Sequence, residues 1–80
     1  HLYKLAEDYC KNEGLDFNQL IPLIEETAHR LKTMSPGTAQ TGPAIRHDDP
    51  TIKQHLAVLE KYPHLKKIYE VMTESIQVTR

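Results

Sequence analysis

The chain has 80 residues, enough for one domain, and its ten Lys and Arg residues balance eleven Asp and Glu residues. This charge balance argues against a nucleic-acid-binding surface, and the single cysteine, Cys10, excludes an internal disulfide. No apolar run is long enough for a membrane span, and a lone cysteine is typical of a reducing compartment, so we expect a cytoplasmic protein.

The size of the chain limits the core that it can build. A domain of this length buries only about 60% of the surface that its unfolded chain exposes. The first residue, His1, already lies in a helical pattern and has no capping residue before it. We therefore expect the natural chain to continue upstream, with further stability supplied by a neighbouring domain or a partner subunit.

Two helices are predicted in the first half of the chain. Residues 1–13 carry apolar side chains at helical spacing, and Gly14 is expected to end this helix in a left-handed conformation. Asp16 is the predicted N-cap of the second helix, which is expected to run to about residue 34. Because a proline lacks the backbone N–H group, Pro22 should kink this helix or shift its true start.

A loop and two more helices are predicted in the second half. Residues 35–49 contain two of the three glycines and two of the five prolines, so we expect a structured loop there. The third helix should begin with Asp49 as its cap and Pro50 at its first position. Pro63 should break this helix and open a fourth. No segment alternates as a strand does, so the predicted fold class is all-α with about four helices.

The fourth predicted helix has an apolar face and a second apolar flank. Its apolar face comprises Leu65, Ile68, Tyr69, Met72 and Ile76. Val71 and Val78 lie off this face, which suggests a contact with another chain. Met34 and Met72 are expected to fill space in the core.

The segment TGPAIRHDDPT, at the start of the third helix, concentrates the candidate functional residues. The candidate substrate-binding residues are Thr41, Gly42, Arg46, Asp48 and Thr51. A guanidinium binds carboxylate or phosphate through two parallel hydrogen bonds, and a helix N-terminus favours an anion. The structural alternative is that Arg46 pairs with Asp48 or Asp49 and only fixes the loop.

His55 is the candidate catalytic residue, as an acid/base or orienting group. The alternative is a half-buried histidine that is hydrogen-bonded to a loop carbonyl. His47, Asp48 and Asp49 lie close in sequence, but they lack a recognised metal-ligand spacing, so no metal is expected. The chain also lacks a GxGxxG turn and a P-loop, and therefore should not hold a nucleotide by itself.

Three stretches of the chain resemble a known family: GLDFNQLIPLIEET, TGPAIRHDDPTIKQHL and LKKIYEVMTESI. They are similar to DUF2520, a helical C-terminal domain of unknown function in Rossmann-like oxidoreductases. The N-terminal domain of those proteins is akin to deazaflavin-dependent NADP oxidoreductases. The family pattern TGPxxRGDxxTxxxHL is matched by Thr41, Gly42, Pro43, Arg46, Asp48, Thr51, His55 and Leu56. His47 departs from it, because the family usually has glycine there, a residue suited to positive φ.

The resemblance implies a fold and a place in a larger enzyme. The fold would be a helical bundle like the C-terminal domains of 6-phosphogluconate dehydrogenase, ketopantoate reductase and pyrroline-5-carboxylate reductase relatives. Residues 1–80 would then form a single C-terminal domain that builds a homodimer and closes the substrate cleft. The cofactor, NADP, would be bound mainly by an upstream Rossmann-like domain and not by this chain alone.

Two functions follow from these observations. In the first, the chain is the dimerising, substrate-side domain of an NAD(P)-dependent oxidoreductase, inactive alone, with an anionic small molecule held near Arg46. In the second, it is a non-enzymatic helical dimerisation or interaction module, and the TGP segment is purely structural. A regulatory bundle that binds a partner helix has no feature in its favour.

Overall fold

A computed structural model describes residues 1–79, and every regular element among them is helical. The α-helices are α1 (Leu2–Asn12), α2 (Ile21–Arg30), α3 (Pro36–Ala39), α4 (Asp49–Val58) and α5 (Pro63–Val78). Two 3₁₀ turns, Phe17–Leu20 and Leu59–Lys61, precede α2 and follow α4. Since α3 is a single turn, residues 1–79 contain four longer helices, and the prediction of an all-α fold with about four helices is confirmed.

The chain divides into two compact units. The first comprises residues 1–40, with α1, α2 and α3. The second begins at Thr41 and contains the TGP segment, α4 and α5. All the candidate site residues lie in the second unit.

The end of α1 is fixed by Gly14, as predicted. Gly14 has φ +72°, the left-handed conformation that costs glycine little. The N–H of Leu15 donates to the carbonyl of Cys10 at 2.7 Å, and the N–H of Gly14 donates to that of Lys11 at 3.4 Å. These two bonds make a Schellman motif, which satisfies carbonyl groups left free at the end of the helix.

Asp16 caps a 3₁₀ turn rather than α2 itself. Its carboxylate accepts a hydrogen bond from the N–H of Asn18 at 2.9 Å. The α-helical geometry begins only at Ile21, which places Pro22 in the first turn of α2. A first-turn N–H has no intrahelical acceptor, so the proline is tolerated there. We expected Pro22 either to kink the helix or to shift its start, and the structure shows the shifted start, at Ile21.

The second helix is shorter than predicted, and the expected loop contains one helical turn. The α-helical part of α2 ends at Arg30 and is followed by turns instead of continuing to residue 34. In α3 the carbonyl of Ser35 accepts from the N–H groups of Thr38 and Ala39, both at 3.1 Å. Pro36 supports this turn because its fixed φ suits the first position of a helix.

Pro63 separates the last two helices, as predicted. The residue before it, Tyr62, has φ −129° and ψ 73°, outside the helical region, because a residue that precedes proline is disfavoured in α conformation. Helix α5 then runs for 16 residues. Lys66 donates to Glu60 at 2.5 Å and so links the first turn of α5 to the preceding 3₁₀ turn.

Few side chains are fully buried. Among residues 1–79, only Cys10 (4% exposed) and Ala44 (7%) are buried. Met34 and Met72 are 40% and 56% exposed, so the prediction that they fill the core is wrong. Their periodic spacing identifies an apolar face but not what covers it. The sparse burial agrees with the marginal core expected from the length of the chain.

Candidate functional site

A tight turn brings the TGP segment to the start of α4. The N–H of Asp48 donates to the carbonyl of Pro43 at 2.9 Å, and the N–H of His47 donates to that of Ala44 at 3.2 Å. The buried Ala44 anchors this turn. His47 has φ +53°, so the position at which the family usually has glycine adopts the left-handed conformation even with a histidine side chain.

Arg46 bridges the two ends of this turn. One terminal nitrogen, Nη1, donates to the carbonyl oxygen of Thr41 at 2.5 Å, and the other, Nη2, lies 3.4 Å from Oδ2 of Asp48. The side chain is nevertheless 57% exposed. The guanidinium thus fixes the loop, as in the structural alternative, while much of its surface remains open to solvent.

Asp48, and not Asp49, is the N-cap of α4. Its Oδ1 accepts from the N–H of Thr51 at 3.3 Å, and its Oδ2 accepts from the hydroxyl of Thr51 at 2.8 Å. The prediction of Asp49 as the cap is therefore wrong by one residue, and Pro50 occupies the second helical position. The left-handed His47 turns the chain just before Asp48, whose carboxylate then faces the free N–H groups of the first turn.

The hydrogen bonds of Asp48 determine its ionisation. The hydroxyl and the N–H of Thr51 hold the pKa of the Asp48 carboxyl below its usual value, with a smaller contribution from Arg46. Hydrogen bonds that donate to a carboxylate stabilise its charged form. The negative charge at this position also complements the positive end of the α4 dipole.

Thr41 and Gly42 lie exposed at the start of the second unit. Thr41 enters the network through its carbonyl oxygen, which accepts a hydrogen bond from Arg46. Gly42 has no positive φ, and a Cβ atom built on it would meet nothing within 4 Å. The fold of residues 1–79 therefore does not require glycine at position 42.

His55 pairs with a residue that the sequence did not identify. Its Nδ1 lies 2.7 Å from the hydroxyl oxygen of Tyr69, and the two rings meet edge to face at 83° with centroids 5.6 Å apart. The partner is thus a side chain of α5 instead of a loop carbonyl. The sequence feature that could have indicated this pairing is Tyr69 itself, because a tyrosine in an apolar helix face needs a partner for its hydroxyl.

A small cleft lies beside this pair. Its volume is about 180 Å³ and it is lined by Ile52, Leu56, Tyr69, Glu70, Thr73, Glu74 and Gln77. Ile52, Leu56 and the Tyr69 ring supply its apolar wall, and the α5 side chains supply its polar rim. The predicted site residues therefore fall into two groups, with Thr41, Arg46, Asp48 and Thr51 in one network and His55 with Tyr69 near the cleft.

The described residues contain neither a glycine-rich turn between a strand and a helix nor a cluster of metal ligands. None of the three glycines lies between a strand and a helix, the position of a phosphate-binding glycine-rich turn. Among residues 1–79, no group of three or more His, Cys, Asp or Glu side chains could hold a metal ion. The part of the chain described here also contains no helix that is both long and apolar enough to cross a membrane.

Comparison with known proteins identifies the class of this helical domain. The chain belongs to the family described as Domain of unknown function (DUF2520), whose model matches residues 1–76. It is also similar to the crystal structure of a putative NADP oxidoreductase from Bacteroides fragilis, with 43% sequence identity and a TM-score of 0.88. The similarity covers 96% of this chain but only 30% of that one. No curated protein matches the chain at a significant level.

Proposed function

We propose that this chain is the substrate-side and dimerising domain of a cytoplasmic NADP-dependent oxidoreductase and that it catalyses nothing alone. The observation that carries the proposal is that 96% of this chain matches 30% of the putative NADP oxidoreductase from Bacteroides fragilis. In this proposal the NADP is held mainly by a Rossmann-like domain upstream, since no glycine of this chain lies in a strand-to-helix turn of the kind that binds dinucleotide phosphates.

The network at the start of α4 would hold an anionic group of the substrate. Arg46 has five N–H donors, and its two bonds to Thr41 and Asp48 leave others directed to solvent. Those two bonds, together with the bonds that Thr51 donates to Asp48, restrict the loop and so limit the orientations of the guanidinium. A preorganised cation binds a carboxylate or phosphate with less loss of conformational entropy.

His55, in the second group of residues, would act as the acid/base or hydrogen-bonding group. Its side chain lies at an exposed position of α4, and only its Nδ1 atom is bound to Tyr69. The other ring nitrogen, Nε2, is thus available to a substrate. An imidazole is suited to this role because it exchanges a proton near neutral pH.

Helix α5 would contribute to the homodimer. Val71, Met72 and Val78 are each more than half exposed in the chain alone. Exposed apolar side chains that follow one another along a helix are typical of a contact with another subunit. Met72→Glu should lower the oligomeric mass of the full-length protein in multi-angle light scattering, and Lys67→Glu, which changes a charge elsewhere on α5, should not.

The decisive experiment is a titration of the full-length protein with NADPH, followed by the fluorescence of the bound cofactor. Saturable binding supports the proposal, and its absence in a folded protein contradicts it. Arg46→Ala should leave NADPH binding unchanged, because the anion site belongs to the substrate. With phosphate as a probe anion, the variant should bind about tenfold more weakly than the wild type, the effect of losing one hydrogen bond to a charged group.

A second candidate function, a non-enzymatic dimerisation module, is favoured by one observation. Both terminal nitrogens of Arg46 are bound within the chain, which is the arrangement expected of a residue that only fixes a loop. In that case Arg46→Ala should lower the oligomeric mass of the full-length protein. The oxidoreductase proposal instead expects a dimer that has lost affinity for anions.

A further inference from the structure

We infer that Tyr69 is a positioning residue that holds the His55 imidazole in the tautomer with its proton on Nε2, so that Nε2–H faces outward as a hydrogen-bond donor. This inference rests on the proposed function, since it assigns the donor that His55 offers to a substrate.

The geometry of the pair restricts the imidazole ring. A separation of 2.7 Å between Nδ1 and the Tyr69 hydroxyl is that of a short, well-formed hydrogen bond. The edge-to-face arrangement of the two rings, at 83°, adds a second contact in another direction. The two residues lie 14 positions apart on different helices, so the ring orientation depends on the packing of α4 against α5.

The direction of this hydrogen bond follows from the chemistry of phenol. Burial raises the pKa of Tyr69, so the hydroxyl keeps its proton at neutral pH. A phenolic oxygen is a better donor than acceptor, because one of its lone pairs is delocalised into the ring. Tyr69 therefore donates to Nδ1 of a neutral His55, and the single proton of that imidazole must lie on Nε2.

The surroundings of Tyr69 keep the donor in place. Its ring is partly buried and forms the cleft wall with Ile52 and Leu56 of α4. A side chain whose ring is fixed by packing loses little further freedom when its hydroxyl binds a partner. The exposed His55 has less packing of its own, so the hydroxyl of Tyr69 is the main restraint on its orientation.

The test is the tautomer of His55, measured by long-range ¹H–¹⁵N correlation spectra of the full-length protein labelled at histidine. His55→Gln removes one set of signals and so assigns them. At a pH at which the ring is neutral, the wild-type protein should give the widely separated nitrogen shifts of a single Nε2–H tautomer. An averaged pattern, or a proton on Nδ1, overturns the inference without any variant.

Tyr69→Phe keeps the ring and the cleft wall but deletes the hydroxyl. We expect the His55 nitrogen shifts to move toward the average of the two tautomers, with the other histidine signals unchanged. The matched control is Tyr3→Phe, which deletes the hydroxyl of a 59% exposed tyrosine in the first unit and should leave His55 as it was. An unchanged His55 spectrum in folded Tyr69→Phe protein overturns the inference.

NADPH binding and the tautomer of His55 are separate measurements. A full-length protein that binds no NADPH overturns the proposed function and, with it, the donor role of His55. A protein that binds NADPH but shows no fixed tautomer overturns the role of Tyr69 alone.

Discussion

Asp48 and Thr51 form two hydrogen bonds with each other, so that one carboxylate binds both the N–H and the hydroxyl of the third residue of α4. The same carboxylate lies 3.4 Å from Arg46. The residue that begins the helix is thereby also the residue that orients the candidate anion-binding guanidinium. A substitution there should affect both stability and anion binding.

Asp48→Ala should lower the midpoint of urea denaturation, because it leaves the first-turn N–H of Thr51 without its acceptor. Asp48→Asn keeps an acceptor oxygen and should lose less. Asp49→Ala is the matched control, since Asp49 lies inside the helix and does not cap it. An equal loss in the Asp48 and Asp49 variants would show that capping is not the cause.

The contribution of Asp48 should depend on pH in a defined direction. Its pKa is lower in the folded protein than its ordinary value of 3.8, so the folded state favours the charged form. The stabilisation is therefore fully present above about pH 4 and is lost as the pH falls through the folded pKa. Urea titrations should show the difference between wild type and Asp48→Asn shrinking below pH 4. A constant difference at lower pH would contradict this.

His47→Gly should stabilise the protein. An L-residue in the left-handed region costs roughly 1–2 kcal/mol, and glycine removes this cost. Part of the resulting stabilisation is offset, because glycine also gives the unfolded chain a greater conformational entropy. We expect a net increase of about 0.5–1 kcal/mol in the free energy of unfolding. His47→Ala, which removes the side chain but keeps the strained φ of +53°, should give no such increase.

Gly14→Ala should have the opposite effect at the end of α1. The Cβ atom would meet no neighbour, so only the φ of +72° opposes it. We expect a decrease of about 1 kcal/mol in the free energy of unfolding. Gly42→Ala, at a glycine without positive φ and with equally open surroundings, is the matched control and should be nearly neutral.

The pairing of His55 with Tyr69 should appear as an energetic coupling. In a double-mutant cycle with His55→Ala and Tyr69→Phe, we expect a coupling free energy of about 1 kcal/mol, the size of one hydrogen bond. Chemical denaturation of the wild type, the two single variants and the double variant gives this value. Strict additivity would mean that the hydrogen bond contributes nothing to stability.

Local chemistry made the helix ends predictable from the sequence. Gly14 and Pro63 act through their own backbone preferences, and both end or begin a helix where expected. The error at Asp48 and Asp49 arose because two adjacent residues are equally good caps. The choice between them depends on the φ of His47, which composition does not reveal.

Contacts between side chains of different helices could not be predicted from such local preferences. The spacing of Tyr69 and Met72 places both on one apolar face of α5, yet Tyr69 binds His55 while Met72 is more than half exposed. Which part of an apolar face is covered depends on the neighbouring helices, and periodicity contains no information about them. For the same reason, the sequence offered a loop carbonyl and not a tyrosine as the partner of His55.

The left-handed turn at His47 limits which substitutions the start of α4 can tolerate. Glycine, asparagine and aspartate can occupy such a conformation at moderate cost, but valine and isoleucine cannot. A β-branched residue at this position would force the backbone out of the turn and rotate Asp48 away from Thr51. We therefore expect few substitutions to be tolerated at position 47, although the side chain itself is exposed to solvent.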